Sequence, residues 1–210
     1  MEGPPVRTDL TTDWEIPATP GGFTGGLERF MGPGKSRAES AVELVGGTVC
    51  AALLAAGLWS TDLRPDWSTT QLVVVALIGL DLIGGVLTNA TNAAKRWYHR
   101  QAPGTRRARL TFVGAHLLHL GVMGMVMLEG DWTWTLANGA LLLAGTAAVE
   151  FAPLPVKRPV SMASWTAAVL ANLFWLDVPV ALLWFAPLFF LKLLVCHLVP
   201  EAPLKRSHDA

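Results

Sequence analysis

The sequence predicts an all-α polytopic membrane protein: a six-transmembrane-helix bundle with both termini on the inner side. Three observations carry that expectation. Hydrophobic residues make up 52% of the chain and charged ones 15%, with the apolar residues in blocks longer than the helices of soluble domains use. Those blocks recur six times at lengths near the ~20 residues needed to cross a hydrocarbon core. Cationic residues fall almost entirely in alternate connecting segments, as the positive-inside rule requires.

Residues 1–40 are rich in Pro, Gly, Thr and Ser and show no sustained apolar period, which predicts a largely disordered cytoplasmic tail. A short LERFM turn, Leu27 to Met31, can lie on the membrane surface. Nothing before Gly22 has the apolar core of a signal peptide, and Asp9, Asp13 and Glu15 interrupt it, so the first span is expected to direct insertion. The transmembrane domain, 41–199, is predicted to hold spans over 41–59, 71–94, 110–128, 132–149, 160–176 and 178–199, and residues 200–210 form a short cytoplasmic tail. The fifth span is short and carries Ser161, Ser164 and Asn172. Cys50 and Cys196 both lie inside apolar segments, which argues against a disulfide framework.

Placing the N-terminus inside puts Arg7, Arg29, Lys35, Arg37, Lys95, Arg96, Arg100, Arg106, Arg107, Arg109, Lys157, Arg158, Lys205 and Arg206 on the inner side. That leaves only Arg64 outside and Lys192 within the sixth span, out of 16 cations. The outer loops carry Asp62, Asp66, Glu129, Asp131 and Asp177, and Trp59, Trp67, Trp132, Trp134 and Trp175 gather at the same level as an aromatic belt. The expected location is the cell inner (plasma) membrane, multi-pass, with both termini cytoplasmic. The short outer turns make spans three and four, and five and six, antiparallel neighbours. Gly46, Gly47, Gly84, Gly85, Gly121 and Gly124 offer small surfaces for helix packing and for homo-oligomer contact. Pro187 is expected to kink span six.

Span two organises the polar chemistry. At about 100° per residue, Asp81, Gly85, Thr88, Asn92 and His99 share one narrow stripe of a helix running to Arg100. Counted from the predicted span ends, Glu43, Asn89, Asn92, His99, His116, His119, Glu150, Lys192, His197 and Glu201 all fall in the cytoplasmic half, while Asp81 lies apart near the midplane. A carboxylate at that depth costs ~2.5 kcal/mol or more on insertion scales, so it tends to mark function.

Each residue also has a plain structural reading. The HLLH pair, His116 and His119, shares a helix face and suits joint metal ligation, but equally a hydrogen-bonded packing contact. Asn89 and Asn92 serve as interhelical glue or as orienting groups; His99 can be a solvated interfacial histidine, and Pro200 separates His197 from Glu201. The HExxH, GxSxG, P-loop and TVGYG signatures are absent, which removes support for zincin, serine hydrolase, P-loop nucleotide and potassium-channel readings.

The leading expectation is a metal-dependent membrane enzyme acting on a lipid or another amphiphile near the cytoplasmic interface. Its metal, Zn or Fe, would be held by His99, His116, His119 and His197. Glu150, Asp81, Asn89 and Asn92 would then be catalytic or orienting. The competing class is a proton-coupled or ion transporter with Asp81 as mid-membrane carrier; a further one is bis-histidine haem binding between His116 or His119 and His197. Membrane lipids are the expected partners, and nucleic acid is not.

The topology is open to direct test. In a background lacking Cys50 and Cys196, cysteines placed near Gly104 and Ser207 should label only from the cytoplasm and those near Ser68 and Gly130 only from outside. Outside labelling near Ser207 would mean an odd number of crossings.

Overall fold

The computed structural model describes residues 9–60 and 66–207. Arg7, Asp62 and Arg64 of the charge pattern lie outside the described residues. The chain forms helices α1 Gly22–Met31, α2 Arg37–Trp59, α3 Thr69–Ala90, α4 Asn92–Tyr98, α5 Thr105–Met127, α6 Trp132–Phe151, α7 Lys157–Phe174 and α8 Val180–His197. A two-stranded ribbon, β1 Leu10–Thr12 with β2 Leu204–Arg206, joins the two ends of the chain antiparallel. Four helices, α2, α3, α5 and α8, are long and apolar enough to cross a membrane. Helices α6 and α7 run 20 and 18 residues, but their Asn, Ser, Thr and Trp residues dilute the apolar density.

Helix starts are set by capping rather than by the first apolar residue. Ser36 and Glu39 form a reciprocal capping box that begins α2 at Arg37, a turn before the expected 41. Ser68 and Gln71 do the same for α3, and α5 begins at Thr105 behind Gly104, whose φ of 79° suits glycine.

The expected continuous helix over 71–94 is instead broken at Thr91. Its backbone is extended and its side chain accepts from the Ala94 amide at 3.2 Å, so it ends α3 and caps α4 at once. Asn92 and His99 therefore leave the stripe that begins at Asp81.

Residues 9–40, expected as a loose tail, hold β1, α1 and the start of α2. Arg96 of α4 bonds Asp13 at 3.3 Å and the Gly34 carbonyl at 3.0 Å. Gly32 presses so closely on α4 that a Cβ there would stand 2.5 Å from the Ala94 nitrogen. These are tertiary contacts, which composition does not reveal.

The core centres on α8, whose Phe185, Phe189, Phe190, Leu193 and Leu194 are fully buried among α3, α6 and α7. Pro187 stands in the first turn of the regular segment Phe185–Phe190, where its missing N–H leaves no bond unmade. Beyond it α8 widens into a π turn over Leu191–His197, a device frequent at functional sites. By contrast α2 is peripheral, with Leu44, Val45 and Leu53 exposed. The expected neighbours do pack, α5 on α6 and α7 on α8, and α6 also packs on α7.

Between α6 and α7 the buried amides of Asn138 and Asn172 exchange hydrogen bonds at 2.8 and 3.3 Å, and Trp134 Nε1 donates to Asn172 at 3.0 Å. Asn172→Ala should cost about 1–3 kcal/mol for each group it orphans, read by denaturant unfolding in mild detergent. Unchanged stability would show that these bonds are replaced on mutation.

Candidate functional site

Asp81 of α3 and Lys192 of α8 meet across the helix interface. Lys192 Nζ lies 2.5 Å from Asp81 Oδ2 and 3.3 Å from the Asp81 carbonyl. The lysine side chain is 2% exposed and the aspartate 43%. Gly85, one turn along α3, makes this possible: a Cβ there would sit 2.2 Å from Lys192 Cε, so the lysine stem lies directly on the α3 backbone.

Two histidines of α5 close on the same carboxylate oxygen. His119 Nε2 lies 3.0 Å from Asp81 Oδ2 and His116 Nε2 lies 3.9 Å from it. The two imidazoles stack at 4.7 Å, nearly parallel at 16°. His116 Nδ1 faces the Phe112 carbonyl at 2.7 Å. Since a carbonyl only accepts, Nδ1 carries a proton, and in the neutral imidazole Nε2 presents its lone pair toward the carboxylate.

The ligand atoms of Asp81, His116 and His119 all lie within 4.8 Å of one another, a group that could hold a metal ion. Tetrahedral bonds of about 2.0–2.2 Å set ligand atoms roughly 3.3–3.6 Å apart, and the 3.0 and 3.9 Å separations from Asp81 Oδ2 bracket that spacing.

The expected separation of Asp81 from the histidines is therefore corrected. It follows from counting depth along a span that starts at 110; with α5 starting at Thr105, His116 and His119 lie about 17 and 21 Å along it at 1.5 Å per residue. That brings them level with Asp81.

The other expected site residues stand elsewhere. Glu150 pairs with Arg106 at 2.9 Å and Arg109 at 3.1 Å, in the first turn and a half of α5, and His116 is about 10 Å further along. Asn92 Nδ2 donates to the Leu204 carbonyl at 3.0 Å, joining α4 to the C-terminal strand. Asn89 donates to the Gly85 carbonyl at 2.8 Å and turns its oxygen to His197 Nδ1 at 3.1 Å. His197 Nε2 faces the Arg109 carbonyl at 3.2 Å, and His99 Nε2 donates to the His197 carbonyl at 3.0 Å. Burial, with Arg109 and Lys95 nearby, holds His99 down at about 3, so it stays neutral. The structure thus brings together His116, His119 and Asp81, and does not bring His99 or His197 to them.

Phe112 occupies the space between the two histidine groups. Its ring packs on His197 at 4.3 Å and on His116 at 4.7 Å, and among the described residues no ring contact joins the two imidazoles directly. A haem held between them would need that volume.

Lys192 is the residue that the sequence alone leaves unpaired. The signal that could have found its partner is elimination: Asp81 and Lys192 are opposite charges deep in two separate spans, and hydrocarbon favours their meeting. Beside them lies a cavity of about 210 Å³, between α1, α3 and Phe112, with Asp81 and Lys192 in its wall. No protein-family model, curated protein or solved structure matches this chain.

Proposed function

We propose that this chain is a multi-pass inner-membrane protein whose Asp81, His116 and His119 bind a transition metal, zinc or iron, and that it acts on a lipid or other amphiphile at this centre. The observation that carries the reading is the pair of facing acceptors: the His116 Nε2 lone pair and the Asp81 carboxylate, 3.9 Å apart, with the His116 proton committed to Phe112. Two acceptors held face to face are stabilised by a cation between them. A metal-ligating histidine also ordinarily gives its other N–H to a backbone carbonyl, as His116 does.

Two imidazoles and one carboxylate leave coordination positions open, the pattern of catalytic zinc and of non-haem iron. A metal so held would supply Lewis-acid activation. The protein's own part is positional. Phe112 fixes the His116 tautomer, Gly85 admits Lys192, and Lys192 holds the Asp81 carboxylate that would serve as a ligand.

Six crossings with both termini cytoplasmic belong to the same reading. At 1.5 Å per residue α6 and α7 span about 30 and 27 Å, close to a hydrocarbon core, and the cation distribution favours the inside N-terminus. Membrane lipid is the partner proposed for the exposed apolar surface of α2.

A second reading, proton or ion transport through Asp81, is favoured by one observation: Oδ2 already carries the Lys192 ammonium at 2.5 Å. Buried opposite charges within spans are common on ion pathways.

Elemental analysis separates the two. Protein purified in mild detergent should carry near-stoichiometric zinc or iron, lost in a His116→Ala, His119→Ala variant that still inserts and folds. Native protein that is fully stable without metal would remove the metal centre, and an Asp81-dependent ion flux in vesicles would establish the transport reading.

A further inference from the structure

The cavity beside Asp81 has a shape and a polarity that define an occupant. Helix α1 roofs it with Leu27 and Phe30, and Phe112 closes one side. From Asn89 to Asp81 its α3 wall descends eight residues, about 12 Å at 1.5 Å per residue. Phe23, Leu27 and Phe30 of α1 are 87%, 48% and 56% exposed, so α1 presents an apolar face outward, as an interfacial helix does. A hydrogen bond from Tyr98 Oη to the Phe30 carbonyl, 2.7 Å, fastens α1 to α4. At about 210 Å³ the cavity exceeds the ~150 Å³ that accommodates benzene.

Its polar groups are nearly all committed to one another. Lys192 is spent on Asp81, Asn89 on Gly85 and His197, and Tyr98 on Phe30. The exceptions are the Thr88 hydroxyl, for which no described residue is a partner, and Asp81 Oδ1. The histidine and lysine bonds all go to Oδ2 or to the backbone, and Oδ1 takes no hydrogen bond from any described residue. Asp81, with this unfilled acceptor, thus stands in the wall of a largely apolar cavity.

We propose that this cavity binds the hydroxyl end of a neutral, single-tailed long-chain alcohol. The hydroxyl donates to Asp81 Oδ1 and the tail leaves past Leu80 and Gly84 into the bilayer. Charge complementarity decides against other heads. A carboxylate or phosphate would bring a second anion to Asp81 with no uncommitted cation to meet it, and an ammonium would be set against Lys192. A hydroxyl brings one donor and no charge. The inference names the substrate class of the proposed metal centre and in that sense rests on it, but the binding contacts themselves involve no metal.

The test uses chelator-treated protein in phosphatidylcholine nanodiscs and a dodecan-1-ol carrying a mid-chain photoreactive diazirine, with crosslinks mapped by mass spectrometry. Labelling should fall on Gly22–Met31 and Thr69–Ala90. Excess dodecan-1-ol should reduce it about tenfold, while dodecanoate and dodecyl methyl ether leave it unchanged. Gly84→Leu should also suppress it severalfold: a Cβ at Gly84 meets nothing within 4 Å, so the new side chain enters open space without displacing a neighbour. Equal competition by the carboxylate or the ether, or undiminished labelling in a folded Gly84→Leu variant, would overturn the proposal. The competitor series on the native protein decides the matter alone if that variant does not fold. Alcohol-selective labelling of protein that never takes up metal would keep this site and remove the metal centre. Bound metal with no selective labelling would do the reverse.

Discussion

The contact between Asp81 and Lys192 is the constraint on which the rest of the bundle depends. Each charge sits in an otherwise apolar helix, and for Lys192, 2% exposed, the cost of isolation is several kcal/mol. At 2.5 Å with a second bond to the Asp81 carbonyl, Asp81 supplies the lysine's missing solvation. This fixes α3 against α8 in both rotation and depth. Gly85 follows from it, because any side chain there would displace the lysine stem. So does the wide turn over Leu191–His197, which contains both Lys192 and His197 and sets the direction in which they leave the helix.

From that contact a chain of rings runs toward α4: His119, His116, Phe112, His197 and Tyr98, each packed on the next at 4.3 to 4.9 Å. The chain links α5, α8 and α4 and divides the histidines into two groups with different work. His116 and His119 face a carboxylate with nitrogen atoms able to bind a cation. His197 and His99 face carbonyls and an amide, bonds that seat α8 and the α4–α5 turn against each other. The interface between α6 and α7 is held differently, by the exchange of amide bonds between Asn138 and Asn172. Ionisable chemistry therefore occupies one region and neutral hydrogen bonding the other.

The sequence reveals the helices whose apolar runs are long, α2, α3, α5 and α8, because hydrocarbon imposes length and composition together. It is less informative about where they begin. The boxes Ser36 to Glu39 and Ser68 to Gln71 are visible as spacings, yet apolar counting passes over them, and a five-residue error at the start of α5 is enough to separate Asp81 from its histidines. The break at Thr91 escapes because the polar periodicity of Asp81, Gly85 and Thr88 continues into Asn92 without interruption. Residues 9–40 look featureless since their order comes from distant partners: Arg96 for Asp13 and Gly34, Ala94 for Gly32, and β2 for β1. His116 and His119 are legible as a pair by spacing alone; Lys192 needs its partner in α3 to be recognised.

A double-mutant cycle on Asp81→Asn and Lys192→Met tests the central contact most directly, by unfolding each variant in the same detergent. Asp81→Asn strands the buried Lys192 ammonium and should destabilise the bundle by about 3–5 kcal/mol. Lys192→Met should cost less, because Asp81 is partly exposed and keeps its contact with His119. The double variant, with neither charge, should recover most of the loss of Asp81→Asn. Additive losses in the double variant would mean that the two residues stabilise the bundle independently, and would contradict their contact as the constraint that sets α3 against α8.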